Sequence, residues 1–475
     1  MMKKWLLAGF CLLALAGCGR QELANDITTP APIVIKEKEE TSEGKETESL
    51  GENGKVKDLK APAGKGAPVK VKGIYLTAAV AGSETKMDEI TAKIDKTEIN
   101  AVVIDFKDDR GRITCPVDSA TVNEIDACQV YIEDMPGLIK KLKDHGIYTI
   151  ARVVAFRDPY LAEKRPEWCL KLSDGKVFRD KQGLAWINPY KQEVWDYLVE
   201  VGEMAAECGF DEVQFDYIRF CTERGVGDVV FEEEDTKGRS KTDAVSQFAA
   251  YAYEKLSNKV FVAADVFGGI ISSRQDGEHV GQLYGEMAEN LDYICPMVYP
   301  SHYSDGYFGI GHPDMEPYST IRAALRGSVS ELKKYRKEDV RQAVVRPWLQ
   351  DFTASYLKNH IEYGPDQIRE QIQAVYDAGY DQWILWNASC NYSWHGLRTG
   401  EEAKEEEKRI AQSRAALTEE EKEAAGLTEK ETEFTGPPPK LTEIPKLPEY
   451  VAPAGALEAG EKETVNVIIP QMRME

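Results

Sequence analysis

The stretch Gly209-Phe-Asp-Glu-Val-Gln-Phe-Asp-Tyr-Ile-Arg-Phe220 follows a helical run, Glu200–Cys208, that Gly209 closes. Within it Val213, Phe215 and Tyr217 alternate with Gln214, Asp216 and Ile218, the period of two that marks a β-strand. An aspartate inside such an apolar run is costly unless its face meets water, a partner or a substrate. If Val213, Phe215 and Tyr217 pack outward on helices, Gln214 and Asp216 point inward. In a barrel of parallel strands, inward residues near the carboxyl ends line the reaction site. The bland alternative is a buried Asp216 paired with Arg152 or Arg219.

Seven further strand candidates accompany Glu212–Phe220: Lys72–Thr77, Ala101–Lys107, Tyr148–Phe156, Val260–Phe267, Tyr293–Tyr299, Ala343–Asp351 and Gln382–Ala388. Helical patterns lie between them. Met135–His145 is one. Lys191–Cys208 reads as starting from an Asn188 cap with Pro189 at the first helical position, and Gln367–Ala378 as closed by Gly379. Strand and helix alternating eight times predict an α/β protein, a (β/α)8 TIM barrel over residues 69–397. The alternative is an open doubly wound sheet, but no Gly-rich phosphate turn follows the first strand. Long insertions after the third strand (a hairpin expected over Lys171–Phe178) and after the sixth (Ser301–His312, with His302) fall where a barrel builds its mouth.

The flanks differ in composition. Lys3 and Lys4 precede the apolar run Trp5–Ala16, too short for a stable span, so residues 1–17 read as an export signal. Leu15-Ala16-Gly17-Cys18 resembles a bacterial lipobox. That resemblance implies cleavage before Cys18 and its lipidation, hence an extracytoplasmic protein anchored to a bacterial membrane; an ordinary signal peptide is the alternative. Residues 18–68, rich in Glu, Lys, Thr and Gly, read as a disordered tether. Residues 398–475 read as an acidic, Pro-rich tail: a solvated helix at Glu401–Ala425, a stiff spacer from Gly436 and a β-prone Val465–Ile469.

A net charge of −22 over 475 residues argues against nucleic acid as a partner. Of nine cysteines, Cys11 lies in the signal and Cys18 is the lipid site. None of the rest shows Cys-x-x-Cys spacing and no His cluster has ligand spacing, so neither a metal nor a cofactor is expected. Cys115 and Cys128 flank one loop and are candidates for a bridge in an oxidising compartment, whereas Cys208 and Cys295 read as buried thiols.

Polar and aromatic residues recur at the strand ends: Asp105 and Lys107 on the second, Arg152 on the third, Asp216 and Arg219 on the fourth and Asp265 on the fifth. Tyr299 closes the sixth, Trp348 and Asp351 the seventh, and Trp386 the eighth. Carboxylates interleaved with flat rings fit a sugar cleft, where rings stack on pyranoses and paired acids do the chemistry.

Lys72-Gly-Ile-Tyr75, Val103-Ile-Asp-Phe-Lys-Asp108, the Phe-Asp-Tyr-Ile-Arg-Phe220 core and Met297-Val-Tyr-Pro300 carry a resemblance: Val71 to Leu397 resembles the glycoside-hydrolase family DUF4015. The resemblance implies a TIM barrel and carbohydrate hydrolysis. More distantly, the fourth strand resembles the Asp-x-x-Asp-x-Asp-x-Glu strand of chitinases. Asp211 and Asp216 match its first and third acids, but Gln214 replaces the second and Ile218 stands where the catalytic Glu would be. Substrate-assisted chitinase chemistry is therefore not expected. The assignment that follows is Asp216 as nucleophile or base and Asp265 as general acid, with Asp105 and Asp351 as competitors for the second role. Arg152 and Lys107 would hold Asp216 ionised, Tyr299 would orient the sugar, Trp348 and Trp386 would form its floor, and Arg219 and His302 would also bind substrate. The expected partner is a polysaccharide or cell-wall glycan. The competing class is a non-catalytic glycan-binding lipoprotein with a degenerate barrel.

Overall fold

The eight β-prone runs all form strands and differ from expectation mainly in where they stop. In the computed structural model, which describes residues 65–337 and 340–425, they are β1 (Lys72–Leu76), β2 (Ala101–Lys107), β3 (Tyr148–Val154), β4 (Glu212–Asp216), β5 (Phe261–Phe267), β6 (Tyr293–Met297), β7 in two pieces (Val344–Val345 and Trp348–Gln350) and β8 (Trp383–Trp386). Each is parallel to its neighbours, and β8 pairs with β1 in the register Lys72↔Trp383 to Ile74↔Leu385. The sheet therefore closes, with helices between strands: a (β/α)8 barrel rather than an open sheet. Cys18 and its flanks, the spacer from Gly436 and Val465–Ile469 lie outside the described residues.

Alternation along each strand sorts side chains into two cores. On β2, Val102, Ile104 and Phe106 join the outer core under the helices, while Ala101 and Val103 join the barrel interior. The interior is packed rather than hollow, filled by Tyr148, Ile150, Phe261, Tyr293 and Cys295 among others. At its amino-terminal end Arg346, wholly buried, is bound to Glu212 at 2.8 Å. Arg346-Pro347 is also the break in β7, since proline has no N–H for the ladder.

Three local expectations are corrected. The strand through Asp216 does not continue to Phe220: Tyr217 takes a left-handed φ of 50°, and its N–H turns back to Asp216 Oδ1 at 2.6 Å. Tyr217 therefore does not pack outward with Val213 and Phe215. Its ring faces the barrel mouth. The helix after the third strand's insertion runs Gln192–Glu207 with Lys191 before it, because Asn188 directs its carbonyl to the N–H of Tyr190 in an Asx turn. On β2 the ladder passes from Asp105↔Arg152 to Lys107↔Val153, leaving Phe106 as an extra residue. That bulge rotates Lys107 away from the interior.

The hairpin expected over Lys171–Phe178 is present, with Lys171 opposite Val177 and a left-handed Gly175 at its tip. The helix expected to be solvated forms at Gly400–Ala415, but it docks on the barrel. Ala403 and Glu406 are buried, and Glu407 and Arg414 reach Lys72 (2.8 Å) and Asp381 (2.6 Å). Cys115 and Cys128 are free thiols, the Cys128 thiol directed at the carbonyl of Cys115 (3.1 Å).

Candidate active site

The carboxyl ends of the strands surround an open cleft. Asp216 and Asp265 both line it. The last registered pair of β4 and β5 is Phe215↔Ala264, so the next residue of each strand is one of these aspartates. Adjacent strands lie about 4.8 Å apart, so the two aspartates are neighbours across the sheet.

Their surroundings differ. Asp216 is salt-bridged: Oδ2 accepts Arg152 Nη2 at 2.6 Å and Nε at 2.9 Å. Asp265 has no cation of its own among the described residues; Oδ1 accepts the indole N–H of Trp348 at 2.6 Å. Burial, and then the negative charge of Asp216, push the Asp265 carboxyl well above the ordinary range, against the pull of Trp348 and Arg152. One aspartate thus has a counter-ion and its neighbour is driven toward the neutral acid.

Arg152 is the hub. Its Nη1 also binds Asp105 at 2.7 Å and Asp109 at 3.1 Å. Asp105 lies beneath the cleft, takes the Tyr75 hydroxyl at 2.6 Å, and is raised to about 6 by burial and the nearby Asp109. Burial also opposes the charge on Asp109, but Arg152 and then Arg157 outweigh it and hold that carboxyl below its usual value. Three acids converge here on a guanidinium. Among the described residues no group of three or more His, Cys, Asp or Glu is arranged to hold a metal ion.

Of the other residues singled out in the sequence, Tyr299, His302, Arg219, Trp348 and Trp386 line the cleft. His302 stands edge-on to Tyr299, with burial lowering its imidazole to about 4, so it is neutral at physiological pH. Trp386 stacks on Tyr75 (4.2 Å between centroids) and stands 5.5 Å from the Arg152 guanidinium. Trp348 is only 1% exposed and directs its N–H at Asp265, so it supports the acid more than it offers a floor.

Two expected members sit elsewhere. Lys107, turned outward by the bulge, binds Asp158 at 2.7 Å and the Val154 carbonyl at 2.6 Å, and does not hold Asp216. Asp351 is taken up by the Ser393 hydroxyl (2.8 Å) and N–H (2.9 Å) outside the cleft. Asp105, though buried beside Arg152, does not face the cleft either, whereas Asp265 does. Among the cleft-lining residues missed in the sequence are Asp109 and Arg157, on the loops after β2 and β3, with Asp180, Trp186, Tyr217 and Glu223. Asp109 was adjacent to a quoted motif, Val103–Asp108, but nothing in its own spacing marked it.

A closed parallel barrel with an acid pair at the ends of adjacent strands is a common form of sugar-cleaving enzymes. Residues 73–392 match the family model DUF4015, described as "Putative glycosyl hydrolase domain". This chain belongs to that family. Among solved structures, it is similar to a hypothetical protein from Ruminiclostridium thermocellum ATCC 27405, at 37% identity and a TM-score of 0.38 over 41% of this chain and 97% of that one. It is also similar to the PgaB (BpsB) glycoside hydrolase domain from Bordetella bronchiseptica, at 11% identity and a TM-score of 0.47 over 68% and 95%. A third is the spore cortex-lytic enzyme SleL of Bacillus megaterium QM B1551, at 11% identity and a TM-score of 0.40 over 70% and 74%. No curated protein matches the chain.

Proposed function

We propose that the protein is a glycoside hydrolase acting on an extracellular or cell-wall glycan. The observation that carries this reading is the unequal pair: Asp216 salt-bridged to Arg152, Asp265 pressed toward its neutral form, both on one cleft. Asp265 gives its proton to the glycosidic oxygen as the C1–O bond breaks. Asp216 attacks C1, or takes a proton from the water that does. Trp386 orients the ring. The non-catalytic reading draws on the grip of Arg152 on Asp216, but that aspartate does not stand alone, which favours turnover. The test is digestion of purified polysaccharides and cell-wall sacculi with a reducing-end readout. New reducing ends released by the parent protein and not by Asp216→Asn are expected. Retention of a glycan by both proteins with no new ends would instead establish the binding module.

On location, the lipobox at Leu15–Cys18 supports a lipid-anchored, extracytoplasmic protein, with residues 18–68 as the spacer between membrane and barrel. A Cys18→Ser protein is expected to lose labelling by a clickable fatty acid and to leave the membrane fraction. Equal membrane retention of the two forms would overturn the anchor.

A further inference from the structure

Three arginines line the cleft, and two of them have carboxylate partners: Arg152 holds Asp105, Asp109 and Asp216, and Arg157 meets Asp109 at 3.4 Å. The third, Arg219, is different. Among the described residues no carboxylate stands within ion-pair distance of it, and its one protein acceptor is the carbonyl of Phe220, 2.9 Å from Nη1. It is 8% exposed. Its guanidinium is collared by the rings of Phe267 (4.7 Å), Trp186 (4.9 Å) and Tyr217 (5.4 Å). None of its nitrogens is sealed from solvent without a partner, so the remaining donors open on the cleft.

A guanidinium has five N–H donors and no way to become neutral near physiological pH. Held in an apolar collar, it is costly unless an anion meets it. The negative charge of Asp216, which acts on Arg219 from a distance, is already engaged by Arg152. We infer that Arg219 is the subsite for a carboxylate carried by the substrate, so that the glycan cleaved here is an acidic one. The inference rests on the glycoside-hydrolase reading and narrows it.

The planar fork of Arg219 matches a carboxylate, which accepts two parallel N–H bonds. A single unpaired cation balances a single negative charge. A phosphate monoester, nearer to two, would leave charge uncompensated. Two common sources of such a carboxylate in glycans are a uronic acid ring and the lactyl ether of a peptide-free muramic acid. Two rings of the collar, Tyr217 and Phe267, are only partly buried and would cover the apolar face of the sugar that bears the acid.

The test compares acidic oligosaccharides of both kinds with their own methyl esters, scored by binding to Asp216→Asn protein and by cleavage with the parent. The acid is expected to bind roughly 10- to 100-fold more tightly than its ester, as for a charge-assisted hydrogen bond gained in a desolvated site. Whichever of the two series shows that gap identifies the source. Arg219→Gln is expected to erase the gap, and Arg219→Lys to restore part of it. A merely structural Arg219 would change the melting temperature and leave the acid-to-ester ratio of the variant intact. Equal binding of acid and ester by a protein that retains glycans would overturn the inference while the hydrolase reading stands. Retention of no glycan, acidic or neutral, would overturn both. The acid-to-ester comparison needs no variant at position 219, so it holds even if those variants fail to fold.

Discussion

Asp216→Asn is expected to fold as the parent does and to lose several orders of magnitude in turnover on any confirmed glycan, because an amide neither attacks C1 nor accepts a proton from water. Asp265→Asn loses only the help of the acid, roughly 10²–10⁴-fold, and less on substrates whose leaving group needs no proton. The two variants part more sharply in stability. Burial holds the folded-state carboxyl of Asp265 well above its unfolded value. The native state therefore binds more protons than the unfolded chain between those two values, and stability falls as pH rises through that window. At neutral pH the parent bears the part of this cost that accrues between the unfolded value and the ambient pH. Asparagine keeps an oxygen for the Trp348 N–H and carries no charge, so Asp265→Asn is expected to melt at a higher temperature than the parent at pH 7 and to lose that advantage near pH 3. Activity of the parent should fall as pH rises past the Asp265 value, when the acid no longer has its proton. A destabilised Asp265→Asn protein, or one with parental turnover, would remove Asp265 from the role of acid.

The second large effect belongs to Arg152→Met. The change leaves Asp105, Asp109 and Asp216 facing one another in a buried site without their common cation. Removing one partner of a buried ion pair typically costs about 3–5 kcal/mol, because the other charge remains. A loss of about that size is expected in urea unfolding at pH 7. It should shrink as pH falls toward 4. Without the guanidinium the three carboxyls rise, the native state takes up protons that the unfolded chain does not, and the penalty is relieved. Asp105, already near 6 in the parent through burial and the charge of Asp109, should respond first. Turnover should fall as well, since Asp216 loses the group that fixes its orientation. A loss below about 1 kcal/mol with normal activity would show that Arg152 is not the hub.

How much of this was legible in the chain follows from what each feature depends on. Strand positions depend on period and apolar content, and the runs around Val102-Val-Ile104 and Val213–Asp216 show both. Asp216 and Asp265 were legible as cleft residues because both lie near the carboxyl ends of apolar strands that are neighbours in a barrel. Lys107 was misplaced by one extra residue, Phe106, and a bulge has no fixed sequence signature. Asp351 was a plausible acid until Ser393, far along the chain, took both of its oxygens. Asp109 and Arg157 lie on loops, where no periodicity tells which way a side chain points. The helix at Gly400–Ala415 misled for a different reason: two buried residues among so many charges leave hardly any apolar stripe.

That helix bears on how the ring of strands is held shut. Every other joint of the barrel links strands near in sequence, whereas the β1–β8 seam joins the first strand to the last. Gly400–Ala415 lies across this seam like a clasp. Glu407 reaches Lys72 at the start of β1, Arg414 reaches Asp381 just before β8, and Glu406 gathers Arg398 and Arg369. Anyone cutting a minimal domain at the end of the last strand would keep the whole cleft and discard the clasp. The truncated barrel would then be most prone to part along that line, and its exposed strand edges would invite pairing between molecules. The practical boundary for crystallisation or engineering lies beyond Ala415, not at Leu397.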